Sequence, residues 1–388
     1  MSASQGVLFL LREQEKRTLL VSAWISPGRM NGRIVMEINN ESRLQCLVRQ
    51  TPFKPDDIET TAAYLDVCKR LEDAGVEFRV SLVAPLISQG ESVGFLMLGA
   101  QKSGSDYDDY MISFLQTLTQ QAAMAIRNSA LLIELKEQER YKRELEIARS
   151  VQERLLPDTF PDISGLEFNA ICQSAYEVGG DYYDYFSLDK HRIGIAIADV
   201  TGKGTSAAFY MAELKGMMTF LAQEIDSPKK VLCRLNTFLS EKVDKRIFVT
   251  MIYGILNTRT GEFTFVRAGH NALVVQRYDS DNNPDVYIPP GIGLGLTNDT
   301  IFYEKTEEQT VRINPNDILF FYTDGLSEAM NEQYQEYSEE KLYNFLKNWN
   351  SESIYELQTE LMKEIKIFTG DAAQHDDITM VMAKLTRA

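Results

Sequence analysis

The chain is poor in the features that staple, anchor or extend a fold. Its four cysteines, Cys46, Cys68, Cys172 and Cys233, lie far apart with no CxxC pair. That spacing excludes a disulfide framework and reads as buried reduced thiols in a reducing compartment. No apolar run approaches the ~18 residues needed to cross a bilayer, and the first residues lack the basic-then-apolar pattern of a signal segment. The expectation is a cytoplasmic protein that does not span a membrane. Basic residues are also in deficit: the formal net charge is -16, which argues against nucleic-acid or anionic-membrane binding, because phosphate-rich partners demand a Lys/Arg surplus. Internal repeats and low-complexity tracts are missing too.

What is present is ordinary globular material, 44% hydrophobic and 25% charged over 388 residues, more than one core usually holds. Two short apolar runs, GVLFLL and TLLVSAW, flank the charged turn REQEKR and read as a hairpin. A helix is expected over 55–71, then two further strands, FRVSLVAPLI and SVGFLMLGA, joined by SQGE. From 106 to 156 the chain lacks Gly and Pro and carries Leu115, Leu118, Ala122, Ala125, Leu132 and Leu135 at helical spacing. The polar segment EQERYKRE interrupts that stripe before Pro157 ends the helix. Such a helix between two compact regions suits a parallel dimer linker or a helix docked on one domain. Beyond it, RIGIAIADV, VTMIYGIL, EFTFVRAG, ALVVQRY, DILFFYT and DITMVMAKL read as strands. Helices fit at 205–223, 228–243, 338–349 and 351–369, and this order suggests stacked sheets flanked by helices.

Chemistry concentrates in carboxylates placed at strand ends. Asp181 follows Val178-Gly179-Gly180; Asp199 ends the strand IGIAIA before Val200-Thr201-Gly202-Lys203-Gly204; Asp324 follows ILFFYT and precedes Gly325; Asp376-Asp377 opens ITMVMA. A lone aspartate there is most often a turn former or helix cap. Four separated segments ending on an acid are poorly explained that way. Convergent aspartate oxygens beside glycine suit Mg²⁺ or Mn²⁺, since glycine lets the backbone approach an ion closely. His270, in AGHN, reads better as a hydrogen-bonded turn residue than as a catalytic group. For Lys203 a surface lysine is the commoner reading, and His375 is either exposed or set behind Asp376. Asp377 reads as an orienting group, and Asp184 is a weaker candidate for the site.

The blocks VGGDYYDYF, IADVTGKGTSAAFYMA, VRAGHNALVV, DILFFYTDGLSEAMN and HDDITMVM, with the helix end ELEIARSVQERLLP, resemble the type 2C metal-dependent serine/threonine protein phosphatases. More narrowly, they are similar to the bacterial sporulation and stress-response branch of that family. The resemblance covers about 140–388 and implies two or more Mn²⁺ or Mg²⁺ ions, with Asp199 bridging them, the Val200 carbonyl as a further ligand, and Asp181, Asp324 and Asp376 completing a catalytic metal site. It also implies water as the nucleophile, without a phospho-enzyme. Two departures concern the chemistry. Thr201 stands where eukaryotic-type members carry a histidine, and their N-terminal phosphate-clamping arginine has no counterpart, so the general acid is unassigned. Two others concern loops: Tyr337-Ser338 replaces the usual Phe-Gly, and Ala272 replaces the proline after AGHN.

The block APLISQGESVGFLMLGA and the helix ending QAAMAIRNSALL resemble the closing part of GAF sensory domains, although the usual first helix has no counterpart before the strand near Gly6. The expectation is therefore an α+β protein: a GAF-like domain at 1–105, a helical or coiled-coil linker at 106–156, and a phosphatase domain at 157–388 built as an αββα sandwich. The resemblance further implies a phosphorylated anti-sigma-factor antagonist as substrate, a small-molecule or protein signal at the GAF-like domain, and a homodimer. Two other readings stay open, a catalytically silent partner-binding scaffold and a hydrolase of a small phosphorylated metabolite.

Overall fold

In a computed structural model the described residues are 6–14, 17–25, 35–38, 51–55, 69, 79–160, 163–242, 247–278 and 283–386. The chain divides into two units, Met1–Arg140 and Tyr141–Ala388. In the first, β1 (Gly6–Gln14), β2 (Arg17–Ile25), β3 (Val35–Ile38), β4 (Leu82–Ser88) and β5 (Glu91–Leu98) form an antiparallel sheet of order β3-β2-β1-β5-β4. The hairpin expected at the start is there, longer at both ends than the apolar runs alone suggested, because its charged turn residues continue the pairing to Gln14 and Arg17. β4 and β5 turn through Gln89 and Gly90, both at positive φ (51° and 84°), the backbone a two-residue hairpin turn needs. The helix expected over 55–71 lies outside the described residues except for Pro55 and Lys69, and Cys46 and Cys68 also lie outside them. α1 (Asp109–Glu153) is a single 45-residue helix.

The second unit contains β6 (Leu166–Gln173), β7 (Tyr182–Ser187), β8 (Arg192–Val200), α2 (Thr205–Glu224), α3 (Pro228–Lys242), β9 (Val249–Asn257), β10 (Glu262–Ala268) and β11 (Leu273–Gln276). It continues with β12 (Asp285–Tyr287), α4 (Asp299–Lys305), β13 (Glu308–Arg312), β14 (Ile318–Tyr322), α5 (Asp324–Ser327), α6 (Glu339–Lys347), α7 (Ile354–Thr369) and β15 (Ile378–Leu385). Two five-stranded antiparallel sheets result, ordered β13-β10-β9-β8-β7 and β12-β11-β14-β15-β6.

Alternation along each strand explains how they stack. Ile193, Ile195 and Ile197 of β8 and Phe263 and Phe265 of β10 meet Leu319 and Phe321 of β14 and Val381 and Ala383 of β15 in one core between the sheets. The alternate residues of β8, Ala196, Ala198 and Val200, pack outward on Met211, Leu214 and Met218 of α2 and Val231 and Leu235 of α3. On the far side Phe320, Tyr322, Met380 and Met382 pack on Leu342 and Leu346 of α6 and Leu357 and Leu361 of α7. The layers are helix, sheet, sheet, helix. Both faces of each sheet are covered, which is why β8, β14 and β15 read as continuous apolar runs rather than alternating ones. Phe321 is fully buried between the sheets, edge-on to Phe263 at 5.9 Å between ring centroids. Phe321→Ala is expected to cost the C-terminal unit about 3–5 kcal/mol, measured as a lower urea midpoint of that unit's transition with an unchanged slope.

Candidate functional site

The same alternation sets the site. On β8 the residues facing the opposite sheet run Ile193, Ile195, Ile197 and then Asp199, so the acid occupies the first position past the apolar core. Thr323 continues the inward series of β14, Thr379 and Asp377 continue that of β15, and Asp181 continues that of β7, where Tyr183 is inward. Four strands thus run out of hydrophobic residues at one end of the sandwich and continue in carboxylates and hydroxyls.

Asp181 is 2% exposed, and its Oδ2 accepts a hydrogen bond from Thr323 Oγ1 at 2.8 Å. Thr323 Oγ1 in turn accepts the Thr379 N–H at 3.0 Å. Burial, and then the charge of Asp199, holds the Asp181 carboxyl well above the usual carboxylate range. Asp199 is pushed up to about 7 by burial and by the charges of Asp324, Asp376, Asp377 and Glu328. Asp324, first residue of α5, is raised by burial and by Asp376. Asp376 is half-exposed, accepts the Asp377 N–H at 2.9 Å and lies 3.4 Å from Lys203 Nζ. Asp181, Asp199 and Asp324 therefore lie close enough to neighbouring carboxylates for those charges to add to the effect of burial.

Backbone fit confirms how tightly the segments meet. A Cβ on Gly180 would lie 2.6 Å from the Val200 carbonyl oxygen and 3.4 Å from Asp199 Oδ1. A Cβ on Gly325 would lie 2.1 Å from the Asp377 carbonyl oxygen. Only glycine leaves the Val200 carbonyl and the Asp199 carboxylate clear at that end. The donor set, four carboxylates and a backbone carbonyl, is all oxygen and fits a hard divalent cation such as Mg²⁺ or Mn²⁺. Among the described residues no three His, Cys, Asp or Glu side chains converge on one point closely enough to hold an ion. Two of the acids are turned to protein donors instead, Asp181 to Thr323 and Asp376 to Lys203.

Several neighbours hold this arrangement without belonging to the acid set. Asp377, 5% exposed, accepts N–H bonds from Ala175 at 2.8 Å and Gly180 at 2.7 Å, fixing the loop that delivers Asp181. Gln152, near the end of α1, donates to the Gly179 carbonyl at 2.6 Å and accepts the Gly179 N–H at 3.0 Å. Thr201 Oγ1 bonds both the N–H and the carbonyl of Phe248 at 2.9 Å, anchoring the turn after Asp199. The Cys172 thiol, half-buried on β6, is pushed up to about 12 by burial and by Asp181, so it stays protonated. Asp184 points elsewhere, to Tyr182 Oη at 2.8 Å and Lys215 Nζ at 2.9 Å. His270 is buried with Nδ1 2.8 Å from Thr250 Oγ1. Burial and the Arg267 charge lower it to about 3, so its ring is neutral. Tyr337, at a family departure, is buried and donates to Glu364 at 2.6 Å.

This αββα stack with acids at one end defines the type 2C phosphatase class of fold. It superimposes on the SiaA-PP2C domain of Pseudomonas aeruginosa with a TM-score of 0.56 at 18% identity, covering 64% of this chain and 98% of that one. It also superimposes on the PP2C phosphatase domain and regulatory fragment of SpoIIE from Bacillus subtilis, with a TM-score of 0.51 at 20% identity over 57% and 62% of the two chains. Residues 189–386 match the Stage II sporulation protein E (SpoIIE) family, and the chain belongs to that family. Residues 2–127 match the GAF domain. Among curated relatives, phosphoserine phosphatase RsbU of Bacillus subtilis (strain 168) is 34% identical over 195 residues, 50% of this chain and 56% of that protein. Phosphoserine phosphatase RsbP of the same strain is 25% identical over 229 residues, 58% and 53% of the two. The chain thus spans about half the length of these relatives.

The pH behaviour follows from the raised acids. With chelator present, the protonated form of Asp199 is favoured in the folded chain, so its contribution is intact below the ordinary aspartate value of about 4 and is lost as pH rises through about 7. The C-terminal unit is expected to melt lower at pH 8 than at pH 5 in EDTA. Adding Mg²⁺ or Mn²⁺ at pH 8 should recover the loss, and Asp199→Asn should flatten the pH dependence, all read by calorimetry.

Proposed function

We propose that the chain is a metal-dependent phosphoserine/phosphothreonine protein phosphatase, with an anti-sigma-factor antagonist as substrate and the GAF domain as its regulator. The observation that carries this is the placement of Asp181, Asp199, Asp324 and Asp376 at one end of the sandwich, where burial and neighbouring carboxylates raise the first three and Asp376 faces Lys203. Asp181, Asp199, Asp324, Asp376 and the Val200 carbonyl would be the groups that hold the ions. When bound, two Mn²⁺ or Mg²⁺ ions would acidify the attacking water and neutralise phosphate oxygens.

The chain's own residues do the positioning. Thr323 keeps Asp181 oriented, Asp377 and Gln152 fix the Gly179–Gly180 backbone that brings it in, and Thr201 holds the turn after Asp199. Gly202 and Gly204, at φ 107° and 71°, reverse the chain into α2, whose first N–H groups lack a side-chain cap at Gly204 and suit an anion. The curated relatives RsbU and RsbP are phosphoserine phosphatases by name, which supports the reaction class for this chain. The exposed Leu131, Leu132, Leu135, Ile147 and Val151 of α1 support pairing of that helix with a second copy. In this reading residues 1–105 sense, 106–156 link and 157–388 catalyse.

Purified protein with Mn²⁺ is expected to release phosphate from a phosphoserine-bearing antagonist protein and from p-nitrophenyl phosphate, and to stop with chelator. Asp199→Asn should lower kcat by at least about 100-fold, the scale of losing a main electrostatic group. Turnover of the small substrate alone points to a phosphorylated metabolite, and silence with every metal points to a scaffold.

A further inference from the structure

Beside the acids lies a cavity of about 630 Å³, within the size range of ligand-binding clefts. One side belongs to the site just described, with Lys203, Gly325, Glu328 and Asp376; another belongs to α7, with Met362, Lys363 and Lys366. Met330, Ile365 and Ile378 add apolar surface between them. A space sharing Asp376 with the acid cluster adjoins the place where a phosphoserine would be held.

Its charge is unusual for this molecule. Against a net charge of -16, its lining carries three ammonium groups and two carboxylates, Glu328 and Asp376. Lys203 Nζ donates to the His375 carbonyl at 2.6 Å and lies 3.4 Å from Asp376 Oδ2. Among the described residues Lys363 makes a solvent-exposed contact with Glu360 at 3.3 Å, a pairing worth little in water. Lys366 donates to the Gly370 carbonyl at 2.8 Å and, among the described residues, has no carboxylate partner. Lys363 and Lys366 stand at i and i+3, on one helix face with Cβ atoms about 5–6 Å apart. Alternate residues of an extended peptide are about 6.6 Å apart on one side, so two acidic side chains at that spacing match the two amines.

Resting on the phosphatase reading, we propose that this cavity is the specificity site for the substrate's flanking segment. It takes a phosphoserine peptide with acidic residues two positions apart and an apolar side chain for the Met330, Met362 and Ile365 surface. Lys363 and Lys366 are specificity-determining residues, remote from the reacting atoms.

The test uses the full chain with Mn²⁺ and two synthetic phosphoserine peptides, identical except that one carries the acidic flank and the other lysines in its place. Turnover of p-nitrophenyl phosphate reports the acid cluster alone. The acidic peptide is expected to have a kcat/KM at least about tenfold higher, about 1.4 kcal/mol, with the difference in KM, and K363E/K366E should reverse the order. Equal kcat/KM for the two peptides on the unmodified protein overturns the proposal whatever the variant does, so a folding defect in the variant cannot rescue it. If neither peptide nor p-nitrophenyl phosphate is turned over, the phosphatase reading fails. Fluorescence anisotropy with phosphonate versions of both peptides then decides the cavity separately: tighter binding of the acidic one sustains it, and equal binding removes it.

Discussion

The C-terminal unit depends on one constraint: the inward-facing residues of four strands must be apolar until the end of the sandwich and carboxylate or hydroxyl immediately after. Between the sheets Ile193, Ile195, Ile197, Phe321 and Val381 exclude water, and that packing fixes the register of every strand. A slip by one residue would turn the inward set outward, and Asp199 and Asp377 would leave the site together with the core. Acid placement and core formation are therefore one event. The helices on either side make the same demand of the other face, which leaves the strands no alternative alignment.

Electrostatics oppose what packing enforces. Burial and mutual proximity raise Asp181, Asp199 and Asp324. Asp377, buried among them, accepts the backbone N–H groups of Ala175 and Gly180. Asp377 fastens backbone, while Asp181 meets the Thr323 hydroxyl and Asp376 meets the Asp377 N–H and the Lys203 ammonium.

Much of this was legible in the sequence because both signals are local. The runs around β8, β9, β14 and β15 announce strands covered on both faces, and the acids at their ends stand beside glycines that the geometry requires at 180 and 325. What could not be read depended on pairing across the chain. β6 and β12 to β13 lack strong periodicity and are strands because partners supply the ladder. Thr323 and Thr379 look like ordinary strand residues until parity places them inward with Asp181. Gln152 sits on a helix whose stripe says nothing about a loop 27 residues away. Asp184, one helix-like step from Asp181 in sequence, faces Lys215 because a strand sends residues 181 and 184 to opposite sides. The family resemblance supplied what spacing alone did not, an expected role for each acid within the set.

The order of strands gives the acids unequal mechanical standing. Asp199 ends β8, which is laddered on both sides, and Asp324 and Asp376 adjoin β14 and β15, also internal to their sheet. Asp181 alone precedes an edge strand, β7, bonded to β8 on one side only. Its approach rests on the Gly179–Gly180 backbone held by two side chains, Gln152 and Asp377. Local opening in proteins begins where the fewest ladder bonds must break. The cluster therefore has three walls and a door, and the door's latch is made of side-chain bonds to a glycine backbone.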